Sequence, residues 1–158
     1  MKINVITVGK LNAMYQSVAN HYTKMISKFS TIETIELKEE NLGTNETAGD
    51  VKRALANEGR EILKRIKERE YVILLAPSGN MLTSEAFSET LTNAFTKGQS
   101  QVTFIIGSSY GVSDEVINRA NEIISFSHLT FPHQLARIML YEQIFRAFKI
   151  KSGERYHK

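Results

Sequence analysis

Tyr71-Val72-Ile73-Leu74-Leu75-Ala76-Pro77-Ser78-Gly79 is the stretch on which the fold class turns. From Tyr71 to Ala76 the run is apolar without interruption. A strand with one face in water alternates apolar and polar residues, whereas a strand apolar throughout is covered on both faces, as in a parallel sheet between helices. The Pro-Ser-Gly that follows predicts a turn over 77–79. Val102 to Ile106 repeats the pattern and ends at Gly107. Ile3 to Val8 is rich in β-branched residues, ends at Gly9, and also reads as a strand.

Helical spacing fills the intervals. Met14, Val18, Tyr22, Met25 and Phe29 recur at helical distances and predict a helix over 12–28. Thr31 to Leu37 alternates and reads as a strand. Residues 38–50 are polar, hold Gly43 and Gly49, and read as a loop. A charged helix is expected over about 50–68, with Val51, Leu55, Ile62, Leu63 and Ile66 facing inward. Another runs from Ser84, as N-cap, to Lys97, with Gly98 as its stop. A short helix follows Ser113, where Asp114 and Glu115 suit a helix N-terminus. Ile123 to Phe126 reads as the last strand. Pro132 suits the first position of a final helix that reaches about Ile150.

Strand and helix alternate, so the class is α/β with a mostly parallel sheet flanked by helices. With 158 residues and no linker, residues 1–158 form one domain. The final helix carries Leu135, Ile138, Met139, Leu140, Ile144, Phe145 and Phe148 on more than one face. A helix apolar on two sides is buried on two sides. Either a second subunit covers it, giving a homodimer, or the rest of the chain does.

Composition narrows the chemistry. There is no cysteine, which excludes disulfides and thiolate metal sites and favours a reducing compartment. The opening residues lack the pattern of a signal peptide and no apolar run is long enough to cross a membrane, so a cytoplasmic protein is expected. His21, His128, His133 and His157 have no partner at metal-ligand spacing, and no metal is expected. The charge is uneven: residues 132–158 hold six basic and two acidic groups, while the chain as a whole is +3. That basic end is either a phosphate-binding surface or a solvated helix terminus.

In an open parallel sheet, ligands bind beyond the carboxyl ends of the strands. Three loops rich in small residues stand there: Leu75 to Gly79, Gly107 to Gly111, and Phe126 to Pro132. Singly, each reads as a tight turn before a helix. None is a Walker loop, a dinucleotide fingerprint or a Gly-x-Ser-x-Gly elbow. Tyr156-His157-Lys158 lines up a phenol, an imidazole and an ammonium, types suited to acid–base work and phosphate binding.

Taken together, these residues resemble a known family. Ile123-Ile124-Ser125-Phe126-Ser127-His128-Leu129-Thr130-Phe131-Pro132-His133-Gln134, the run Arg137 to Phe148, the ending Gly153 to Lys158 and the opening Ile6 to Leu11 are similar to the RlmH family. That family is of the SPOUT (α/β-knot) class, methyltransferases acting on N3 of a pseudouridine in 23S ribosomal RNA. The resemblance implies a C-terminal trefoil knot, a homodimer, and S-adenosylmethionine as cofactor. It implies cofactor contacts at Leu75, Gly107, Phe126, Ser127, His128, Leu129, Thr130 and Phe131. Tyr156, His157 and Lys158 are the implied catalytic group, with His157 as base or hydrogen-bond partner to the uracil edge. Arg155, and Arg137 and Arg146 either as RNA contacts or as interface pairs, are the RNA-binding candidates, and the small size of the domain points to the assembled ribosome as partner. His133 reads as a structural residue at a helix start. The chain departs from the family at Ala76, where an acidic residue is common, at Ser108, where a second glycine is common, and at Asn80, where lysine is frequent. Backbone contacts remain open in those loops. Other readings are a SPOUT enzyme acting on tRNA or a ribose oxygen, and a non-catalytic RNA-binding module of the ribosome.

Overall fold

The structure is a computed structural model and describes residues 1–98 and 100–156. The elements run β1 (Lys2–Val8), α1 (Ala13–Ile26), β2 (Thr31–Leu37), α2 (Ala48–Leu63), β3 (Tyr71–Met81), α3 (Ser84–Lys97), β4 (Gln101–Ile106), α4 (Asp114–Arg119), β5 (Glu122–Ser125) and α5 (His133–Lys151). The strands form one sheet in the order β2-β1-β4-β3-β5, and every ladder between them is parallel.

Alternation along the buried strands divides the core in two. Ile3 and Val5 of β1, Ile73 of β3 and Phe104 and Ile106 of β4 face α1, α3 and α5. Ile6 and Val8, Val72 and Leu74, and Ile105 point the other way, toward Ile62 of α2 and Val116 of α4. Side chains on successive residues take opposite faces, so a strand buried on both must be apolar at each. This is why the uninterrupted runs mark the centre of the sheet. Edge strand β2 keeps its alternation because one of its faces is partly solvated.

The final helix is covered within the chain. It packs against α1 on one side and α3 on the other, while Leu140, Tyr141, Ile144, Phe145, Ala147 and Phe148 are buried. Phe29 stacks on Phe148 at 5.3 Å. The two-sided apolar pattern is therefore met by α1, α3 and the sheet, and does not itself call for a second subunit.

Several boundaries differ from expectation for identifiable reasons. Helix α2 begins at Ala48, inside the expected loop, because Thr47 and Asp50 form a capping box: the Asp50 amide donates to Thr47 Oγ1 at 3.2 Å and the Thr47 amide to Asp50 Oδ2 at 3.0 Å. It ends at Leu63 rather than near 68, where Arg119 Nη2 takes the carbonyls of Lys67 at 3.0 Å and Glu70 at 2.9 Å. Its buried face is Ala54, Glu58, Gly59 and Ile62, with Val51, Leu55, Leu63 and Ile66 only half-buried. Thr83 caps α3 instead of Ser84, accepting from the Ala86 amide at 3.1 Å. Pro132 holds the N-cap position of α5 rather than the first helical one.

The expected turn at Pro77–Gly79 is an irregularity inside β3. Leu75 pairs with Ile124, the register slips, and Asn80 pairs with the same Ile124 before Met81 meets Ser125. A Cβ at Gly79 would stand 2.5 Å from a backbone carbon of Ile124, so only glycine lets the bulged strand press this closely on β5.

Candidate functional site

Register alone brings the three loops together. Leu75 of β3 is paired with Ile106 of β4 and with Ile124 of β5. Gly107 and Ser125 are one residue further along their strands. All three loops therefore leave the same edge of the sheet, beyond its carboxyl ends, where α/β proteins bind ligands. A cleft of about 270 Å³ lies beside the third of these loops, walled by Ser84 and Phe87 of α3, Ser125 and Phe126, and Glu142 and Gln143 of α5; Leu75 and Gly107 are not among its lining residues.

The loop after β4 is pulled tight. Ser108 and Gly111 bridge, with the Gly111 amide donating to the Ser108 carbonyl at 2.9 Å. A Cβ at Gly107 would lie 2.4 Å from the Gly111 carbonyl oxygen and 2.6 Å from Val112, so the turn closes only around glycine. The Tyr110 hydroxyl, hydrogen-bonded to Glu46, ties the loop tip to the segment before α2. Behind it Glu58 is buried; burial pushes its carboxyl up, against the Glu40 amide, which donates to Oε1 at 3.0 Å, and the Ser108 hydroxyl.

The loop after β5 is held by its own side chains. Ser125 Oγ donates to the Ser127 carbonyl at 2.9 Å, and the Leu129 amide donates to Ser127 Oγ at 3.0 Å. His128, Leu129 and Thr130 are exposed, while Phe126 and Phe131 are half-buried. Apolar walls and close-set glycine backbone fit a flat aromatic base with a polar edge, and so fit the adenosyl part of the implied cofactor.

The basic residues of the last helix have separate places. Arg137 is 5% exposed; it bonds Glu36 of β2 at 2.7 Å and the Tyr141 hydroxyl at 3.0 Å, locking α5 to the sheet edge. Arg146 donates to Glu142 from Nε at 3.0 Å and Nη2 at 2.6 Å. Arg155 is exposed. The chain folds back after α5, and the Tyr156 ring lies edge-on to Phe145 at 5.0 Å, under the Arg146 guanidinium at 4.8 Å. Burial first, and Glu142 next, push the Tyr156 phenol above its usual range. His157 and Lys158 lie outside the described residues. His133 packs against Gly9 at the end of β1, at the start of α5.

Sequence reasoning missed Glu142, Ser125 and Glu58. Glu142 was open to detection, because an acid four residues before Arg146 on one helix pairs with it. Glu58 was not, since nothing in its neighbours marks the one glutamate of α2 that turns inward.

Among the described residues no helix is long and apolar enough to cross a membrane, and no three acidic or imidazole groups gather as a metal site would require. The family model described as "Predicted SPOUT methyltransferase" matches residues 1–157. The chain is similar to "Ribosomal RNA large subunit methyltransferase H" of Streptococcus thermophilus strain CNRZ 1066, 45% identical with both chains fully covered. It is 46% identical, again over the full length of both, to the proteins of that name from Bacillus pumilus and Streptococcus agalactiae serotype III.

Proposed function

The chain belongs to the SPOUT methyltransferase family, in its RlmH branch, and on that premise we propose that it methylates large-subunit ribosomal RNA using S-adenosylmethionine. The acceptor in this reading is N3 of a pseudouridine, on the assembled ribosome in the cytoplasm. The observation that carries it is the convergence of Leu75, Gly107 and Phe126 at one sheet edge, beside a cleft. The relatives' names supply the RNA class.

When bound, the cofactor would supply an electrophilic methyl on a positively charged sulfur, with the neutral thioether as leaving group. The work left to the chain is placement and proton handling. Leu75, Gly107 and Phe126 to Phe131 would hold the adenosyl group through backbone contacts and apolar walls. Placement of this kind is worth about 7–11 kcal/mol. The acceptor nitrogen is an imide, protonated at neutral pH, so a base must take its proton as the N–C bond forms. His157 is assigned that role, since imidazole titrates near working pH, and general-base help adds a factor of about 10²–10⁴. Tyr156, held protonated, supports His157 at the uracil edge. Arg155 and Lys158 hold phosphate.

A homodimer and a C-terminal trefoil knot belong to the same proposal. Met14 and Val18, one turn apart on α1, are 65% and 40% exposed beside α5, an apolar stripe that a second copy would cover.

The test is transfer of labelled methyl from S-adenosylmethionine to ribosomes, free subunits and naked rRNA from cells lacking the enzyme, with mapping of the product nucleoside. N3-methylpseudouridine, formed best on ribosomes, is expected. Label in tRNA or at a ribose oxygen would overturn the assignment in favour of another SPOUT activity. Cofactor binding with no transfer would leave a binding module.

A further inference from the structure

Glu142 joins two parts of the molecule that are otherwise separate. Its side chain lines the cleft with Ser125 and Phe126. Its Oε1 also accepts from Arg146 Nε at 3.0 Å, Arg146 Nη2 at 2.6 Å and the Tyr156 hydroxyl at 3.3 Å. Gln143 Nε2 donates to Oε2 at 2.7 Å. The guanidinium it holds lies over the Tyr156 ring, and Phe145 supports the same ring edge-on. The return of the chain that brings Tyr156 here is itself fixed: Lys149 pairs with Glu154, and the Glu154 amide donates to the Lys149 carbonyl at 3.1 Å.

We propose that Glu142 is a positioning residue for the methyl transfer, its carboxylate, itself at the wall of the cleft, holding Arg146 and Tyr156 as one cluster. The inference rests on the reading given under Proposed function. Three consequences follow from charge and geometry. The carboxylate offsets the charge of the Arg146 guanidinium, which limits the positive charge near a cofactor that is itself cationic. It keeps the Tyr156 phenol protonated, its hydrogen directed at the carboxylate, because a neighbouring negative charge opposes loss of that proton. And by anchoring Tyr156 it fixes the point from which the chain runs on to His157 and Lys158. Among the described residues, the charged and titratable groups facing the phenol are Tyr22 from α1 and Glu142 and Arg146 from α5. Of these, Glu142 raises its pKa and Arg146 lowers it.

The experiment compares wild type, Glu142→Gln, Glu142→Asp, Tyr156→Phe and the Glu142→Gln/Tyr156→Phe double variant. It measures methyl transfer to ribosomes, and it titrates Tyr156 by NMR of ring-labelled tyrosine. Glu142→Gln is expected to lower the phenol pKa and to reduce kcat at least about tenfold, with KM for S-adenosylmethionine changed less than about twofold. Glu142→Asp restores part of both. The double variant is expected to lose less than the product of the two single losses, since both act through one cluster. An unmoved phenol titration with kcat intact, or strictly multiplicative losses, would overturn the proposal. A wild-type protein that transfers no methyl to any RNA overturns the underlying function instead.

Discussion

Arg137 and Glu36 meet at 2.7 Å across 101 positions of sequence, joining the start of α5 to edge strand β2. The guanidinium is almost wholly buried while the carboxylate keeps 27% of its side-chain surface in water. The pair is extended by the Tyr141 hydroxyl, which also meets Thr34 at 2.6 Å. Loss of one partner leaves the other charge without compensation in a place water reaches poorly.

Arg137→Ala is expected to destabilise the fold by about 3 kcal/mol, at the lower end of the range for broken buried pairs because Glu36 can turn to solvent. Urea unfolding measures this. Since the residue is engaged inside the fold, the variant's binding to ribosomal RNA at a temperature where it stays folded should match wild type. A steep loss of RNA affinity in folded protein would return Arg137 to the binding surface.

Thr47→Ala removes the capping box that starts α2 and is expected to cost about 1 kcal/mol, with a matching shift of the urea midpoint. Thr47→Ser should keep nearly all of it. The change should also speed amide exchange at the first turn of α2 while leaving β3 and β4 as slow as before.

Glu58 gives a pH dependence with a definite sign. Burial raises its carboxyl pKa in the fold above the unfolded value of 4.5. The folded state therefore binds the proton more tightly, and the stability this lends is full below the unfolded pKa and is lost as pH rises through the folded one. Glu58→Gln should remove that loss: the variant gains stability relative to wild type at pH 7 and loses the advantage at pH 4. Thermal unfolding at the two pH values checks it, and an equal difference at both would refute the burial argument.

Gly107→Ala forces a methyl to within 2.4 Å of the Gly111 carbonyl, so the loop must open. Affinity for S-adenosylhomocysteine, read by calorimetry, is expected to fall at least about tenfold, the equivalent of about 1.4 kcal/mol. Gly107 is buried, so the melting temperature falls as well, and affinity is read at a temperature where the variant remains folded. Unchanged affinity would place the cofactor elsewhere than at this edge.

The centre of the sheet is legible in sequence because a strand buried on both faces must be apolar at every position, as Tyr71 to Ala76 and Val102 to Ile106 are. The site is half legible. Loops after strands are visible, but their convergence depends on strand order, which nothing in Leu75, Gly107 or Phe126 encodes locally. Pro77-Ser78-Gly79 reads as a turn because those residue types serve turns and bulges alike; only the pairing with Ile124 separates the two. The two-sided face of α5 is legible as buried, yet its cover is set by α1 and α3, far away in sequence. Thr47 and Asp50 carry the spacing of a cap and could have fixed the start of α2. Glu142 could have been paired with Arg146 by spacing, but its bond to Tyr156 needs the chain to fold back.

The cover that α5 provides has a consequence for biosynthesis. The helix fills the space between α1 and α3 and shields Ile3, Val5 and Phe104. Protein is made from its N-terminus, so a growing chain displays this whole apolar face until the segment from His133 onward has been translated. Contacts such as Thr34 with Tyr141, 107 positions apart, are closed last. A topology weighted toward such distant partners folds slowly. The interval between synthesis and closure is thus when this protein is most exposed to aggregation and most dependent on chaperones, and a translational stall shortly before His133 would release a product with a finished sheet and no lid over one side of it.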